Sequence, residues 1–251
     1  MKRSLTTAVA LILTGVPARA QSEITLIAPG GIRAAIERLL PAFEKKTGYK
    51  VKATFGSGLG TKRQVAQGEA FDVPIVQPPY PEVLASGNVV ASTAKPLASV
   101  ALGMAVRPGA PKPDISTPDR VKRALLTAKS VSYPNPAGGA AAGVTFDQML
   151  KQLGIAVQME PKLKRAQGGN QAMEMVALGE AEIGLTFVSE MNEPGIAIVG
   201  ALPSEIAPPT NLVGFVSAHA KDSTAAKALL DYLSSPEAAA AYQAERMQPA
   251  H

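Results

Sequence analysis

Short apolar runs alternate along the chain with longer segments that are apolar on one face only. The first run, 24–28, is rich in β-branched residues and is typical of a buried strand. The segment that follows carries its apolar side chains at helical spacing, at Ile32, Ile36, Leu39 and Phe43. This order of strand and helix recurs over most of the chain, which predicts the α/β class with mainly parallel sheets.

The same pattern predicts an ordered set of elements. Strands are predicted over 23–28, 49–55, 71–76, 97–106, 131–133, 183–188 and 212–217. Helices are predicted over 32–48, 61–67, 81–86 and 117–127, around 146–153, after Gly168, from about Asp222 and from Ser235. The proline-rich stretch 107–118 is expected to form a rigid surface loop at or after a crossing between two lobes.

Three loops rich in small residues follow predicted strands, at 29–31, 56–60 and 134–143. In an open α/β sheet, ligands bind beyond the carboxyl ends of the strands. The second loop has glycines at alternate positions, which let the backbone approach a ligand, and it leads into a helix whose N-terminus favours an anion. Ser57 and Thr61 add hydroxyl donors, so this loop predicts a site for a small anion.

The first residues have the composition of a secretory signal peptide. A basic start, Met1-Lys2-Arg3, precedes an apolar run over 5–16 and the small-residue motif Ala18-Arg19-Ala20. The apolar run is too short for a membrane span. We therefore expect cleavage after Ala20, with 1–20 removed and a periplasmic mature protein that is not embedded in the membrane.

Composition excludes several classes of function. The net charge of +5 includes the three basic residues of the signal peptide, so the mature chain carries 5 − 3 = +2, and it has no tryptophan. This charge gives no electrostatic case for nucleic acid binding. There is no cysteine, the two histidines are His219 and His251, and no metal-ligand or serine-hydrolase motif occurs. No metal and no cofactor is expected.

Short motifs spread over the whole mature chain have the order seen in a known family. They are Phe43-Glu44-x-x-Thr47-Gly48, Gly56-Ser57-Gly58 followed by Arg63-Gln64-Val65, Phe71-Asp72-Val73, Asn135-Pro136, the stretch 177–184, and the stretch 225–235 before a terminal helix. In this order, behind a signal peptide, they resemble the molybdate-binding proteins of bacterial ABC importers and, more broadly, the type II periplasmic binding proteins.

The resemblance implies a two-lobed fold, each lobe a mainly parallel sheet flanked by helices, with two crossovers between the lobes. Residues 21–102 and 212–251 would form lobe 1, and 103–211 would form lobe 2. The implied function is capture of a small anion between the lobes by a monomer, for import through an inner-membrane ABC permease. A sensor that presents its ligand to a membrane receptor is not separable from a transport protein by sequence.

The chain departs from the family pattern at the positions that bind the oxyanion. A serine of the first loop is replaced by Gly30 and Gly31, a second serine of the next loop by Gly58, and a tyrosine by Phe187. Each lost donor costs on the order of 1–3 kcal/mol of binding free energy. Arginine binds carboxylates through two hydrogen bonds. Arg33, Lys62 and Arg63 are candidate replacements, which favours an organic carboxylate or another larger anion over molybdate. Arg33 is equally consistent with a solvated surface residue, and Lys62 is a better candidate than Arg63, which matches a family arginine that need not contact the ligand.

The expected ligand-binding residues lie in the three loops and near the end of the strand 183–188. They are Gly30, Gly31, Arg33, Ser57, Gly58, Thr61, Lys62, Asn135, Gly138, Gly139, Phe187 and Ser189.

An enzymatic alternative also follows from the resemblance. Some exported proteins similar to the molybdate-binding family are cofactor-independent aconitate isomerases, which move a proton on a tricarboxylate. Such chemistry needs carboxylate clamps and one acid or base of tuned pKa. Glu190 is the candidate base, with Ser57 or Thr61 as donors. A hinge or helix-cap role for Glu190 is the competing interpretation, and a binding protein remains favoured over an enzyme.

Overall fold

The computed structural model describes residues 23–250. The predicted signal peptide, 1–20, lies outside the described residues. Within 23–250, every helix is too short or too polar to span a lipid bilayer.

Strands and helices alternate along the described chain. The strands are β1 Glu23–Pro29, β2 Lys50–Gly56, β3 Val73–Val76, β4 Lys95–Val100, β5 Leu102–Val106, β6 Val131–Pro134, β7 Leu163–Ala166, β8 Ile183–Phe187, β9 Ala197–Ala201, β10 Thr210–Gly214 and β11 Gln248–Pro249. The helices are α1 Arg33–Thr47, α2 Gly58–Ala66, α3 Pro81–Ala85, α4 Pro118–Thr127, α5 Ala141–Gln152, α6 Ala156–Met159, α7 Gly169–Ala177, α8 Ser223–Leu233 and α9 Pro236–Ala244.

The strands form two separate sheets, and each sheet is the centre of one lobe. The first has the order β11-β4-β10-β3-β1-β2, and the second has the order β7-β6-β8-β5-β9. The β-α-β units give parallel pairs, β1 with β2 and β3, and β6 with β7 and β8. The remaining pairs are antiparallel, so each sheet is mixed. The predicted two-lobed α/β fold is confirmed, with mixed sheets where mainly parallel ones were predicted.

The chain changes lobes twice. The first change falls at Ala101, between β4 of the first sheet and β5 of the second. The single strand predicted over 97–106 is therefore wrong, because it is two strands in different sheets. Both are apolar and mostly buried, so hydrophobicity alone cannot mark the break between them. The second change falls between β9 and β10.

Strands β7 and β9 were not predicted. Both lie at an edge of the second sheet, and their residues are mainly half-buried or exposed. The two basic residues of β7 hide the apolar pattern of a strand, whereas β9, with Ile198 and Val199, is apolar and gave a signal that was overlooked. Their positions matter because β7 leads into the loop before α7, which reaches the space between the lobes.

The buried carboxylate of Asp72 ties three segments of the first lobe together. Its Oδ2 accepts hydrogen bonds from the backbone N–H and the hydroxyl of Thr25 in β1, both at 2.7 Å. Its Oδ1 accepts a hydrogen bond from the backbone N–H of Lys221, at 2.8 Å, shortly before α8. Several donors satisfy this buried carboxyl group, so Asp72 holds these segments of the lobe together.

Candidate functional site

A cleft of about 500 Å³ lies between the two lobes at the carboxyl ends of their strands. Both lobes contribute to its wall. Lobe 1 supplies Pro29, Gly30, Gly31, Arg33, Ala34, Phe55, Gly56, Ser57, Gly58 and Gln77. Lobe 2 supplies Pro134, Ala140, Ala141, Ala142, Gln167, Gly168, Gly169, Asn170, Phe187, Ser189, Glu190 and Asn192.

Helix N-termini from both lobes point at this cleft. The first residues of α2, α5 and α7 line it, at Gly58, Ala141 and Gly169. The first backbone N–H groups of a helix have no intrahelical partner, and the helix dipole adds partial positive charge there. Three such ends facing one space create a field that favours an anion.

Ser57 prepares the N-terminus of α2. It is the N-cap of the helix, and its Oγ accepts a hydrogen bond from the backbone N–H of Gly60 at 3.1 Å. A hydroxyl that accepts one hydrogen bond still has its own hydrogen to donate. Ser57 can therefore cap the helix and donate to a ligand at the same time.

The α2 loop also touches the opposite lobe. The backbone N–H of Leu59 donates to the carbonyl oxygen of Gly139 at 3.1 Å. Gly139 has φ of 80°, and a Cβ built on it would lie 2.6 Å from the Cβ of Leu59. Only glycine accepts both this backbone conformation and this close approach. The contact brings the two lobes together over the cleft.

Helix α5 is held close to the loop before it by Gly143. A Cβ built on Gly143 would lie 2.0 Å from the carbonyl oxygen of Pro134 and 3.0 Å from the backbone nitrogen of Pro136. The absence of a side chain at this position allows the first turn of α5 to pack directly on the cleft loop.

Replacing Gly143 with alanine is expected to destabilise the protein. Alanine normally stabilises a helix interior relative to glycine by about 1 kcal/mol. Here the new methyl group meets backbone atoms that cannot rotate away, so we expect a net loss of about 1–3 kcal/mol. The Tm should fall by about 2–12 °C. Gly138→Ala is the matched control, because Gly138 is exposed and has no atom within 4 Å of a built Cβ. Equal melting temperatures for the two variants would contradict this packing role.

Glu190 places a carboxyl group on the wall of the cleft opposite α2. Its Oε2 accepts a hydrogen bond from the hydroxyl of Thr186 at 2.5 Å. Gly169 makes room for it, since a Cβ there would lie 2.4 Å from Oε2. Burial raises the pKa of the Glu190 carboxyl above its ordinary value of 4.5, and the hydrogen bonds from Thr186 and the Phe187 backbone oppose this only in part. The group is therefore suited to hold or release a proton.

This raised pKa gives the ligand-free protein a defined pH dependence. Folding takes up a proton at Glu190 wherever the pH lies between the ordinary value of 4.5 and the raised folded pKa. The free energy of unfolding should therefore fall as the pH rises through this window. Glu190→Gln cannot ionise and should lose less stability over the same range. Melting temperatures of both proteins across mildly acidic to mildly alkaline pH test this, and parallel curves would contradict it.

Arg33 is the one arginine among the residues that line the cleft. Its guanidinium lies over the ring of Phe55, with Cζ 4.8 Å from the ring centroid. No salt bridge of Arg33 to a carboxylate occurs among residues 23–250. The aromatic ring supports the cation from one side, which leaves its N–H groups available for an anion.

Phe187 and Ser189 lie on the wall formed by lobe 2 and both contact Gly31. The ring of Phe187 packs where a Cβ of Gly31 would lie, with Cδ2 at 3.2 Å from that position. The hydroxyl of Ser189 donates to the carbonyl oxygen of Gly31 at 2.7 Å. Ser189 therefore joins the lobes, and its hydrogen is not available to a ligand in this conformation.

A model of the bacterial extracellular solute-binding proteins matches residues 24–245, which is nearly all of the described chain. The chain belongs to this family. Function outside the cytoplasm follows from that membership. A cleft between two lobes that could hold a small solute agrees with this membership.

Individual relatives fall into two kinds. An aconitate isomerase of Pseudomonas sp. is 34% identical, over 96% of this chain and 94% of that protein. A molybdate-binding protein of Azotobacter vinelandii is 29% identical, over 86% of both proteins. The solved periplasmic molybdate-binding protein of the same organism superposes with a TM-score of 0.75 at 19% identity, covering 91% of this chain and 100% of that one, a likeness of fold alone. The predicted resemblance to the molybdate-binding proteins is confirmed.

Several predicted site residues of this binding protein do line the cleft. They are Gly30, Gly31, Arg33, Ser57, Gly58, Phe187, Ser189 and Glu190. The others lie elsewhere. Lys62 donates from Nζ to the carbonyl oxygen of Pro79 at 2.8 Å, and Thr61 is fully buried behind the loop, beside Gly56.

The predicted residues of the third loop lie around the cleft without lining it. The side chain of Asn135 accepts a hydrogen bond from the backbone N–H of Ala137 at 3.1 Å and caps its own loop. Gly138 is exposed, and Gly139 contacts Leu59 across the lobes. The N-terminus of α5, at Ala140 to Ala142, takes their place in the wall.

Sequence reasoning missed the residues that α7 and β3 bring to the cleft. The sequence shows that Gly168-Gly169-Asn170 opens a helix, but it does not show that this helix points at the site. Gln77 follows the apolar strand β3 directly, but a lone amide at a strand end does not by itself mark a binding residue. Within residues 23–250 no group of His, Cys, Asp and Glu side chains is arranged to hold a metal ion.

Proposed function

We propose that this protein captures a small organic anion with more than one carboxylate group in the cleft between its lobes. The observation that carries the proposal is the convergence of three helix N-termini with the Arg33 guanidinium on one cleft. These donors lie on different walls, and a ligand with separated negative groups can engage several of them. A cleft of about 500 Å³ is within the usual range for small organic ligands.

Two features favour a carboxylate over molybdate. The family hydroxyls are replaced by Gly30, Gly31 and Phe187, and the hydroxyl of Ser189 is engaged with Gly31. A compact oxyanion would lose several donors, at about 1–3 kcal/mol each. A planar carboxylate instead matches the fork of Arg33 and can lie against the apolar ring of Phe187. The molybdate-binding relative shares the fold but need not share the ligand.

Delivery to a membrane permease is the proposed destination of the bound anion. Membership of the solute-binding family supports it, and the chain is proposed to act as a periplasmic monomer. A sensor role would use the same cleft and a different membrane partner. Transporter genes beside the coding gene would favour import.

Isomerisation of a tricarboxylate is the second candidate. Glu190 favours it, because a carboxyl of raised pKa faces the same cleft as Arg33. On trans-aconitate, ionised Glu190 would take a proton from the methylene carbon, and the double bond would shift toward that carbon. The same proton would return to the far carbon of the three-carbon unit. The product is an isomer of the substrate, so no cofactor or second reactant is needed. The aconitate isomerase relative, at 34% identity, supports this candidate.

Thermal unfolding with a panel of anions tests the proposed binding. The panel contains molybdate, sulfate and phosphate together with mono-, di- and tricarboxylates. A ligand at a hundred times its Kd adds about 2.7 kcal/mol of stability. That corresponds to a rise in Tm of roughly 5–10 °C for a chain of this size. A rise with molybdate and none with any carboxylate would contradict the proposal. Incubation with trans-aconitate, followed by NMR, separates binding from turnover.

A further inference from the structure

Gln77 is a buried polar residue that neither the fold nor the helix ends explain. It follows β3 directly, at the carboxyl end of the strand, and its exposed fraction is 3%. It lies on the cleft wall of lobe 1. Its side chain makes no hydrogen bond with any of residues 23–250, although its polar atoms are not sealed from the cleft.

Gly58 provides the space for this amide at the first position of α2. A Cβ built on Gly58 would lie 2.2 Å from Oε1 of Gln77 and 3.3 Å from Cδ. Any other residue at position 58 would force the amide out of its place. The amide of Gln77 therefore lies directly on the N-terminus of α2, with its Oε1 toward Gly58.

The Gln77 amide has no hydrogen-bond partner within residues 23–250, so a ligand in the cleft can engage it without breaking an existing bond. The amide of glutamine has two N–H donors. The neighbouring donors, the Ser57 hydroxyl and the backbone N–H of Gly58, together with the dipole of α2, already favour a negative oxygen at this place. An oxygen of a bound anion would satisfy the amide and these groups together.

We propose that Gln77 is a ligand-binding residue whose amide donates to a carboxylate bound at the N-terminus of α2. This inference rests on the proposed function. The N-termini of α5 and α7 and the Arg33 guanidinium are further donor positions in the cleft. Together they offer enough donors to engage each carboxylate of a tricarboxylate.

Isothermal titration with propane-1,2,3-tricarboxylate tests the role of Gln77. This probe has no double bond, so it cannot be isomerised during the measurement. Gln77→Leu keeps the approximate size of the side chain and removes the donor, and we expect affinity to fall roughly tenfold or more. Gln67→Leu is the matched control, because Gln67 is exposed at the other end of α2 and should bind as the wild type does.

The melting temperature without ligand separates a binding role from a structural one. If Gln77 serves the ligand, the ligand-free Gln77→Leu protein should be about as stable as the wild type, since the amide makes no hydrogen bond within residues 23–250 that leucine would lose. Gly58→Ala is a second variant, which displaces the amide and should also weaken binding. The two changes together should cost less affinity than their sum, because both remove the same contact.

The affinity and the melting temperature together decide whether Gln77 binds the ligand. Weaker binding by Gln77→Leu with undiminished stability supports the assignment. Equal affinity of Gln77→Leu and wild type overturns the assignment and leaves the proposed function intact. Weaker binding together with a Tm several degrees lower also overturns the assignment, because it indicates a structural role for Gln77. A wild type that binds neither this probe nor any carboxylate of the panel overturns the proposed function, and the Gln77 assignment with it.

Discussion

Replacing Glu190 with glutamine is expected to lower the conversion of trans-aconitate to its cis isomer by about 10²–10⁴-fold, the usual contribution of a general acid–base group. Glutamine can still accept the hydrogen bond from Thr186, so the side chain should keep its place. It cannot take up or return a proton. The rate should therefore fall while the affinity for the substrate stays within a few-fold. Proton NMR of the two isomers measures the rate directly.

A nearby carboxylate provides the control for this change. Glu193 lies three residues further on and does not line the cleft, so Glu193→Gln should turn over as the wild type does. Turnover unchanged in Glu190→Gln would exclude Glu190 as the proton carrier. If the wild type itself produced no cis-aconitate, the isomerase candidate would fall, and capture of a carboxylate would stand on the binding data alone.

The position of Glu190 explains why one cleft can support both candidates. A binding protein needs positive and neutral donors for its anion, and an ionised carboxylate among them would repel it. Burial keeps Glu190 protonated over a wider pH range than an ordinary glutamate, which limits that repulsion. The same property makes it a proton carrier when a substrate presents an acidic C–H bond. The difference between capture and catalysis thus depends on where the ligand's carbon atoms lie relative to Oε2.

The sequence predicted the residues whose position depends only on their neighbours in the chain. The place of Ser57 on the cleft wall was predictable because a glycine-rich turn that directly follows a strand lies at the carboxyl end of the sheet. Gly30 and Gly31 were found in the same way. The two-lobed fold followed from the order of motifs along the whole chain.

Residues whose role depends on the start of a helix or the order of strands were harder to place. Helix α2 was predicted from Thr61, but it begins at Gly58. Lys62 therefore lies more than one turn into the helix, donates to the Pro79 carbonyl and does not line the cleft. The N-terminus of α7 reaches the cleft only because β6, β7 and β8 are neighbours in the second sheet. This order could not be predicted, since β7 is an edge strand whose apolar pattern is weak. Gln77 was missed because one amide after an apolar strand has meaning only once Gly58 is placed beside it.

Replacing Arg33 with alanine is expected to weaken the binding of a tricarboxylate by roughly 10- to 100-fold. This corresponds to the 1.5–3 kcal/mol typical of a hydrogen bond to a charged group. Arg33 begins α1 on the wall of lobe 1, and the ring of Phe55 lies 4.8 Å from its Cζ. The ring restricts the guanidinium before the ligand arrives, so little side-chain entropy remains to be lost on binding. Isothermal titration with propane-1,2,3-tricarboxylate measures the change.

Two further variants and the dependence on salt test whether Arg33 itself binds the anion. Arg33→Lys should bind less tightly than the wild type and more tightly than Arg33→Ala, because an ammonium group keeps the charge but cannot bind a carboxylate through two parallel hydrogen bonds. Arg63→Ala removes an exposed arginine of α2 that does not line the cleft, and its affinity should match the wild type. The loss caused by Arg33→Ala should shrink at high salt, since a partly solvated ion pair is screened. Equal losses in Arg33→Ala and Arg63→Ala would mean that only the overall charge of lobe 1 attracts the anion, and that the guanidinium beside Phe55 does not hold it.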